Sequence, residues 1–266
     1  MKRQPEDFFS LLDRGSREHY DDPDYYDRTY RTRREDVEFY RATARRLGSP
    51  VLELGVGSGR VASALAADGH EVVGIDPSAP MLARAEERCR AVPDAKVTLR
   101  EGDMRSFTVR KRFPLIIAPF NVLMHLYEPD DFARCFERVA RHLAPDGRFV
   151  FDVRVPQPRE LARDPDKVYT GRPLTHPKLG RVKYTERFQY DPIKQVQLVT
   201  IRFEPENRRV AAVETVLAHR QVFPAELRAL LALGGLRLTR RMGDFDGRPL
   251  GPDDDVQIIE AAVARR

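Results

Sequence analysis

The chain contains 266 residues, of which 41% are hydrophobic and 33% are charged, and it carries a formal net charge of +5. This balance predicts a folded protein with a sizeable core rather than a disordered one. We expect neither a membrane span nor a signal peptide, because no apolar run is long enough. The two cysteines, Cys89 and Cys135, exclude a disulfide framework and favour a reducing, cytoplasmic environment.

The basic excess is the first feature that bears on function. A net positive charge is typical of proteins that bind nucleic acid or anionic substrates. Here 39 of the 46 basic residues are arginine, and basic and acidic residues are interleaved rather than grouped in blocks. We interpret the excess as an arginine-rich composition, and we expect no nucleic-acid partner and no membrane partner.

Strands and helices alternate through the first part of the chain. Residues 1–30 are polar and rich in tyrosine, and Arg33–Leu47 has the apolar spacing of a helix. Five apolar strands with helical crossovers then predict a parallel sheet covered by helices on both faces. The predicted strands are Val51–Leu54, Glu71–Ile75, Val97–Arg100, Leu115–Ala118 and Arg148–Val153. The predicted helices are Val61–Ala67, Ala79–Arg90 and Asp131–Leu143.

The spacing of the apolar residues changes after Val155, where several prolines mark an irregular connection. Three long segments that alternate apolar with polar residues predict an antiparallel β cap, and a helix and two strands follow it. These elements are predicted at Val182–Gln189, Val196–Phe203, Arg209–Val222, Pro224–Leu233, Leu236–Thr239 and Val256–Val263. We predict one α/β domain that consists of an N-terminal lid (1–47), a core (48–155), an inserted β cap (156–222) and the remainder of the core (223–266).

A glycine loop between the first strand and the next helix is the strongest functional motif. Gly55, Gly57 and Gly59 allow a tight turn and let a ligand approach bare backbone at a helix N-terminus. Asp76 ends the next strand, where an acid can bind both ribose hydroxyls of an adenosine cofactor. The loop also fits a dinucleotide fingerprint, so the glycines alone leave the cofactor open.

Two further acids separate the possible cofactors. Glu53 directly precedes the glycines, where its charge would repel a pyrophosphate but suit a cation. S-adenosylmethionine carries a sulfonium and an ammonium and has no phosphate. Asp103 and Met104 follow the third strand, where an acid and a backbone amide can bind the adenine edge. The sequence therefore favours S-adenosylmethionine.

With these motifs the chain resembles the class I S-adenosylmethionine-dependent methyltransferases. The resemblance implies a Rossmann-like, seven-stranded sheet that is mostly parallel and whose last strand is antiparallel. The layout is also similar to small-molecule N-methyltransferases, namely the aminosugar N,N-dimethyltransferases and the glycine and sarcosine methyltransferases. The motifs are Val51–Arg60 (VLELGVGSGR), Gly74–Leu82 (GIDPSAPML), Glu101–Met104 (EGDM) and Leu143–Phe151 (LAPDGRFVF).

The resemblance implies roles for individual residues in cofactor binding. The glycine loop and its acid would hold the methionine moiety, and the acid after the second strand would hold the ribose. Pro77 and Met81 would flank the adenine, and Asp103 and Met104 would bind its edge. Arg33 would bind the cofactor carboxylate. Ordinary helix core is the alternative interpretation of Met81. The full predicted set is Arg33, Glu53, Gly55, Gly57, Gly59, Asp76, Pro77, Met81, Asp103, Met104, Phe120 and Asn121.

Three residues are candidates for catalysis. His125 follows the fourth strand, at the carboxyl edge where open α/β sheets bind ligands, and it could act as a base or orient the acceptor. By resemblance, Tyr30, with Tyr26 as the rival, would meet the acceptor from the lid. The alternatives are a helix-capping histidine and tyrosines that only pack the lid. The segment at Pro119–Asn121 lacks the Asn/Asp-Pro-Pro-Tyr/Phe motif of many nucleobase amine methyltransferases.

We therefore predict a methyltransferase that modifies nitrogen or oxygen of a small metabolite. The histidines show no metal-ligand spacing, so we predict no metal site. Three alternatives stay open: an RNA or protein methyltransferase, a cofactor-binding protein without turnover, and a C-methyltransferase of an anionic metabolite. Four lid arginines motivate the last one: Arg28, Arg31, Arg33 and Arg34. The oligomeric state is also open, and a homodimer is one option.

Overall fold

The computed structural model describes residues 8–264, which form two compact units. The smaller unit contains the described residues up to Tyr30 together with Pro156–Gln221, and the larger unit contains the remainder. The helices are α1 (Phe8–Gly15), α2 (Pro23–Tyr30), α3 (Glu35–Leu47), α4 (Arg60–Ala67), α5 (Ala79–Arg90), α6 (Pro129–His142), α7 (Pro158–Leu161) and α8 (Leu227–Leu233).

The strands are also numbered along the chain. They are β1 (Val51–Leu54), β2 (Val72–Asp76), β3 (Val97–Glu101), β4 (Phe113–Ala118), β5 (Leu143–Arg154), β6 (Tyr169–Thr170), β7 (Leu174–His176), β8 (Gly180–Asp191), β9 (Val196–Pro205), β10 (Val213–Arg220), β11 (Leu236–Met242) and β12 (Val256–Val263). Within the described residues, no helix has the length and hydropathy needed to cross a membrane.

The larger unit contains a seven-stranded sheet in the order β11-β12-β5-β4-β1-β2-β3. The pairs among β1 to β5 are parallel, whereas β12 is antiparallel to both β5 and β11. Apolar clusters cover both faces: one includes Phe136 and Phe149, and the other includes Leu65 and Leu115. The predicted Rossmann-like sheet with helices on both faces is therefore confirmed.

Helix α3 belongs to the larger unit, although the sequence places it in the lid. Its residues Tyr40 and Ala44 are fully buried in the same apolar cluster as β1 and α4. The structure thus divides the chain after Tyr30 rather than after Leu47, because the apolar face of α3 packs on the sheet. The second division between the units follows Val155.

The smaller unit is built on the predicted antiparallel sheet, in the order β10-β9-β8-β6 with β7 also paired to β8. Its core contains Tyr25, Val182, Ile201 and Phe203. Helices α1 and α2 were not predicted from the sequence, because each has only eight residues and α2 is rich in tyrosine and charge. Strand β10 begins at Val213 rather than at Arg209.

Candidate cofactor site

The glycine loop joins β1 to α4, and its three glycines all have a positive φ. A Cβ on Gly55 would lie 2.4 Å from Cγ2 of Val122, and a Cβ on Gly59 would lie 2.9 Å from Cα of Ala85. A Cβ on Gly57 would meet only the carbonyl oxygen of Gly55, at 4.0 Å. The outer two glycines are therefore required by packing, whereas the middle one faces open space that a ligand can enter.

We expect Gly59→Ala to lower the free energy of unfolding by about 1–3 kcal/mol, because the new methyl group would overlap Ala85 and the residue would keep a left-handed backbone. Urea denaturation of the purified chain measures this loss. Gly69→Ala is the matched control, because Gly69 also has a positive φ but nothing lies within 4 Å of its Cβ position. An equal loss of unfolding free energy in both variants would show that the left-handed backbone, and not overlap with Ala85, causes the loss.

Asp76 ties the glycine loop to the end of β2. Its Oδ2 accepts a hydrogen bond from the backbone amide of Gly57 at 2.8 Å, and its Oδ1 accepts one from Ser78 at 2.9 Å. Burial raises the pKa of this carboxyl, while the two amides lower it. Each oxygen can accept a further hydrogen bond, so the geometry suits the predicted contact with two ribose hydroxyls.

Glu53 gives the clearest indication of ligand chemistry. Its side chain is 2% exposed, and its Oε2 is buried without a hydrogen bond. Burial raises the pKa of this carboxyl well above its usual range. A buried carboxylate oxygen that lacks a donor, beside an open glycine loop, fits the ammonium or sulfonium of S-adenosylmethionine and would repel a phosphate.

Asp36 organises the charged groups near the loop and was not predicted from the sequence. Both Nη atoms of Arg60 donate to its carboxylate, at 2.8 and 2.6 Å, and Nε of Arg33 donates at 3.0 Å. Asp36 is fully buried, and although burial raises its pKa, the guanidiniums of Arg60 and Arg33 produce a net decrease. The network fixes the orientation of Arg33, the predicted ligand of the cofactor carboxylate.

Phe120 and Asn121 lie at the end of β4 and both have left-handed backbone, with φ of 59° and 64°. The amide of Phe120 donates to Oδ1 of Asp152 at 2.9 Å, and the amide of Asn121 donates to the Asp152 carbonyl at 3.2 Å. The Arg33 guanidinium lies 4.4 Å from the centre of the Phe120 ring. The structure thus brings Arg33 and Phe120 together, and it adds Asp152, which sequence reasoning missed.

The predicted adenine contacts are more dispersed. Nε of Arg105 donates to the Asp103 carboxylate at 3.0 Å, and although burial raises the Asp103 pKa, this pairing lowers it overall. Met81 is 1% exposed, as expected for helix core, whereas Pro77 is exposed and Met104 packs on the apolar core. Their roles toward adenine stay predictions.

The catalytic candidates are divided between the two units. His125 ends a 3-10 turn, Val122–His125, in the larger unit. Tyr26 and Tyr30 lie on α2 in the smaller unit, with ring centres 4.8 Å apart, and the Tyr30 hydroxyl lies 3.2 Å from Nε2 of His19. Burial lowers the pKa of His19 to about 4, so this histidine is neutral near pH 7. The catalytic roles of all three candidates stay predictions.

A groove of about 760 Å³ lies between α5 and β3. Leu82, Cys89 and Leu99 are among its lining residues, and none of the predicted cofactor residues is. Its lining lacks the glycine loop and the buried acids, so we assign the cofactor to the loop rather than to this groove.

The raised pKa of Glu53 predicts how cofactor affinity depends on pH. As the pH rises through that value, Glu53 ionises and holds a cation more tightly, so the Kd for S-adenosylmethionine should fall and then level off. The cofactor-free chain should lose stability over the same range, because an unfolded Glu53 ionises near its usual pKa of 4.5 and the folded one resists ionisation.

Calorimetric titration over a pH series measures this dependence. Glu53→Gln should remove the dependence of the Kd on pH that we assign to Glu53. Glu260→Gln is the control, because Glu260 is also buried but its carboxylate contacts Arg46 and Arg148. The same slope in wild type and Glu53→Gln would contradict the assignment.

Known proteins support the assignment to a methyl donor. A family model described as "Methyltransferase domain" matches residues 51–147. The cypemycin N-terminal methyltransferase of Streptomyces sp is 29% identical over 206 residues, which cover 76% of this chain and 78% of that protein. The dTDP-3-amino-3,6-dideoxy-alpha-D-glucopyranose N,N-dimethyltransferase of Streptomyces fradiae is 35% identical over 102 residues, but the match covers only 38% of either chain.

A solved structure extends the similarity beyond the matched domain. The CcbJ methyltransferase from Streptomyces caelestis superposes with a TM-score of 0.75 at 26% identity, covering 87% of this chain and 90% of that one. The chain therefore contains a methyltransferase domain at residues 51–147, and it is an S-adenosylmethionine-dependent methyltransferase with S-adenosylmethionine as its cofactor.

Proposed function

We propose that the enzyme transfers a methyl group to an amine nitrogen of a small molecule, such as an amino sugar or the N-terminus of a short peptide. The observation that carries this proposal is the set of buried carboxylates around the glycine loop, which favours cationic ligands. The relatives named for amino-sugar and peptide N-terminal methylation support the choice of nitrogen over oxygen. A cytoplasmic location, expected from the sequence, belongs to the same proposal.

The chain's own residues have distinct tasks in this reaction. Bound S-adenosylmethionine supplies a methyl group on a sulfonium, whose leaving group is already activated. Glu53 would hold the cationic end of the methionine moiety, and Asp76 would hold the ribose. Arg33 would bind the cofactor carboxylate. The network around Asp36 keeps that guanidinium in place, so these side chains supply alignment rather than chemical activation.

A labelled methyl-transfer assay tests the proposal. The enzyme is incubated with trideuteromethyl S-adenosylmethionine and matched pairs of acceptors: an amino-sugar nucleotide with its hydroxyl counterpart, and a short peptide with its N-acetylated form. We expect mass spectrometry to find the label in the free amines. Label confined to the hydroxyl acceptors, or found in RNA instead, would contradict the proposal.

The same assay tests the predicted role of His125. His125→Ala should lower kcat for the amine and leave the Kd for S-adenosylmethionine unchanged, because the residue is expected to act on the acceptor. His70→Ala is the control, since His70 lies in the loop after α4 in the same unit. An unchanged kcat in His125→Ala would favour the alternative role as a helix-capping histidine.

A further inference from the structure

We infer that Asp152 binds the methyl acceptor and that it does so as the partner of a positively charged amine; this inference rests on the proposed function. Asp152 lies near the carboxyl end of β5, and its side chain is fully buried. Its Oδ1 accepts hydrogen bonds from the Tyr40 hydroxyl at 2.7 Å and from the Phe120 amide at 2.9 Å. Its Oδ2 is buried and accepts none.

A structural role accounts for Oδ1 of this carboxylate but not for Oδ2. Nη2 of Arg33 forms a long ion pair with Oδ2 at 4.0 Å, a distance that is too great for a hydrogen bond. Arg33 already donates to Asp36. Asp254 shows the contrasting case, since Arg248 donates to both of its oxygens. An unsatisfied buried carboxylate oxygen is costly, which points to a donor that arrives with a ligand.

The position of Asp152 fits a site for the acceptor. The ends of β4 and β5 are adjacent, and open α/β sheets bind ligands at the carboxyl ends of their strands. Phe120 and Asn121 adopt left-handed backbone as they approach Asp152, and their amides hold its Oδ1 and its carbonyl. Such strain is concentrated at functional sites, and here it fixes the carboxylate while leaving Oδ2 without a hydrogen bond.

The balance of charge indicates which acceptor fits. Four buried acids, Asp36, Glu53, Asp76 and Asp152, are accompanied by two guanidiniums, those of Arg33 and Arg60. The bound cofactor adds one net positive charge, because it carries two cationic groups and one carboxylate. When all four acids are ionised, one more positive charge balances the site. An ammonium supplies that charge, whereas a neutral hydroxyl or an anionic acceptor does not.

The chemistry of transfer is consistent with this binding mode. Before the reaction, the bound ammonium gives one proton to solvent. The nitrogen lone pair then forms the new N–C bond while the methyl–sulfur bond breaks and its electrons remain on sulfur. The product is a methylated ammonium that keeps its contact with Asp152.

A probe that needs no known acceptor tests the inference. The complex with S-adenosylhomocysteine is heated in dimethylammonium chloride or in sodium chloride of equal concentration. We expect dimethylammonium to raise the Tm of wild type and of the control Glu260→Gln above the value in sodium chloride, and Asp152→Asn to lose this increase. An equal increase in Asp152→Asn, or none in wild type, would overturn the inference.

Kinetics with an amine that the labelled assay identifies provide a second readout. Asp152→Asn should raise the KM for that amine at least about thirtyfold, since it removes one partner of a buried charge pair, and change the Kd for S-adenosylmethionine less than about threefold. Tyr40→Phe keeps the carboxylate and should have a smaller effect on KM. An unchanged KM overturns the role of Asp152 alone. Failure of the wild-type enzyme to methylate any amine overturns the proposed function itself.

Discussion

Asp76→Ala should weaken S-adenosylmethionine binding by about 150- to 25,000-fold. Each hydrogen bond from a ribose hydroxyl to an ionised carboxylate contributes about 1.5–3 kcal/mol, and the variant removes two of them. It also removes the acceptor for the Gly57 amide, which holds the glycine loop against β2. Calorimetric titration of the purified variant measures the change in Kd.

Asp68→Ala is the control for that titration. Asp68 also lies in the larger unit, but its carboxylate pairs with Arg41 and Arg45 rather than facing the glycine loop. The Kd of Asp68→Ala for S-adenosylmethionine should match that of wild type. If Asp76→Ala bound S-adenosylmethionine with the wild-type Kd, Asp76 would not bind the ribose. The predicted orientation of the cofactor would then also be wrong.

Asp36→Ala should lower the free energy of unfolding by about 3–5 kcal/mol. The substitution leaves Arg33 and Arg60 without the fully buried carboxylate that both contact, and an uncompensated charge in a buried network is strongly destabilising. Urea denaturation followed by circular dichroism measures the loss.

Asp68→Ala also serves as the control for the unfolding experiment, because it shows how much stability is lost when a different acidic residue is removed. Asp68→Ala breaks pairs with Arg41 and Arg45, but the Asp68 side chain is 14% exposed whereas that of Asp36 is fully buried, so the substitution should cost less than Asp36→Ala. A loss below about 1 kcal/mol for Asp36→Ala would mean that Arg33 and Arg60 reach solvent or other partners. The proposed positioning of Arg33 would then fail.

The fold could be predicted where a local pattern determines it. Five apolar strands and their crossovers were placed close to their observed positions, because a buried parallel strand is a continuous apolar run, although β3 at the sheet edge is only partly buried. The unit to which α3 belongs was not predictable in this way. Its apolar face is visible in the sequence, but the surface that the face covers depends on contacts with β1 and α4. Helices α1 and α2 were missed because short, polar helices depend on tertiary packing.

The site shows the same division between local and distant signals. Glu53 and the glycines could be predicted because their spacing reflects one turn between a strand and a helix, and Asp76 could be predicted because it ends the next strand. Asp152 could not, since it meets the Tyr40 hydroxyl across 112 positions of sequence. Asp36 gave no signal either, because an acid in the first turn of a helix is usually explained by the helix dipole. Buried acids that converge from distant elements become visible only in the folded chain.

A crystal structure of the protein with S-adenosylmethionine tests the central claim most directly. The account predicts ribose hydroxyls within hydrogen-bond distance of Asp76, the ammonium group beside Glu53 and the carboxylate at Arg33. Density for the adenosyl group away from the glycine loop, for example in the groove between α5 and β3, would contradict it.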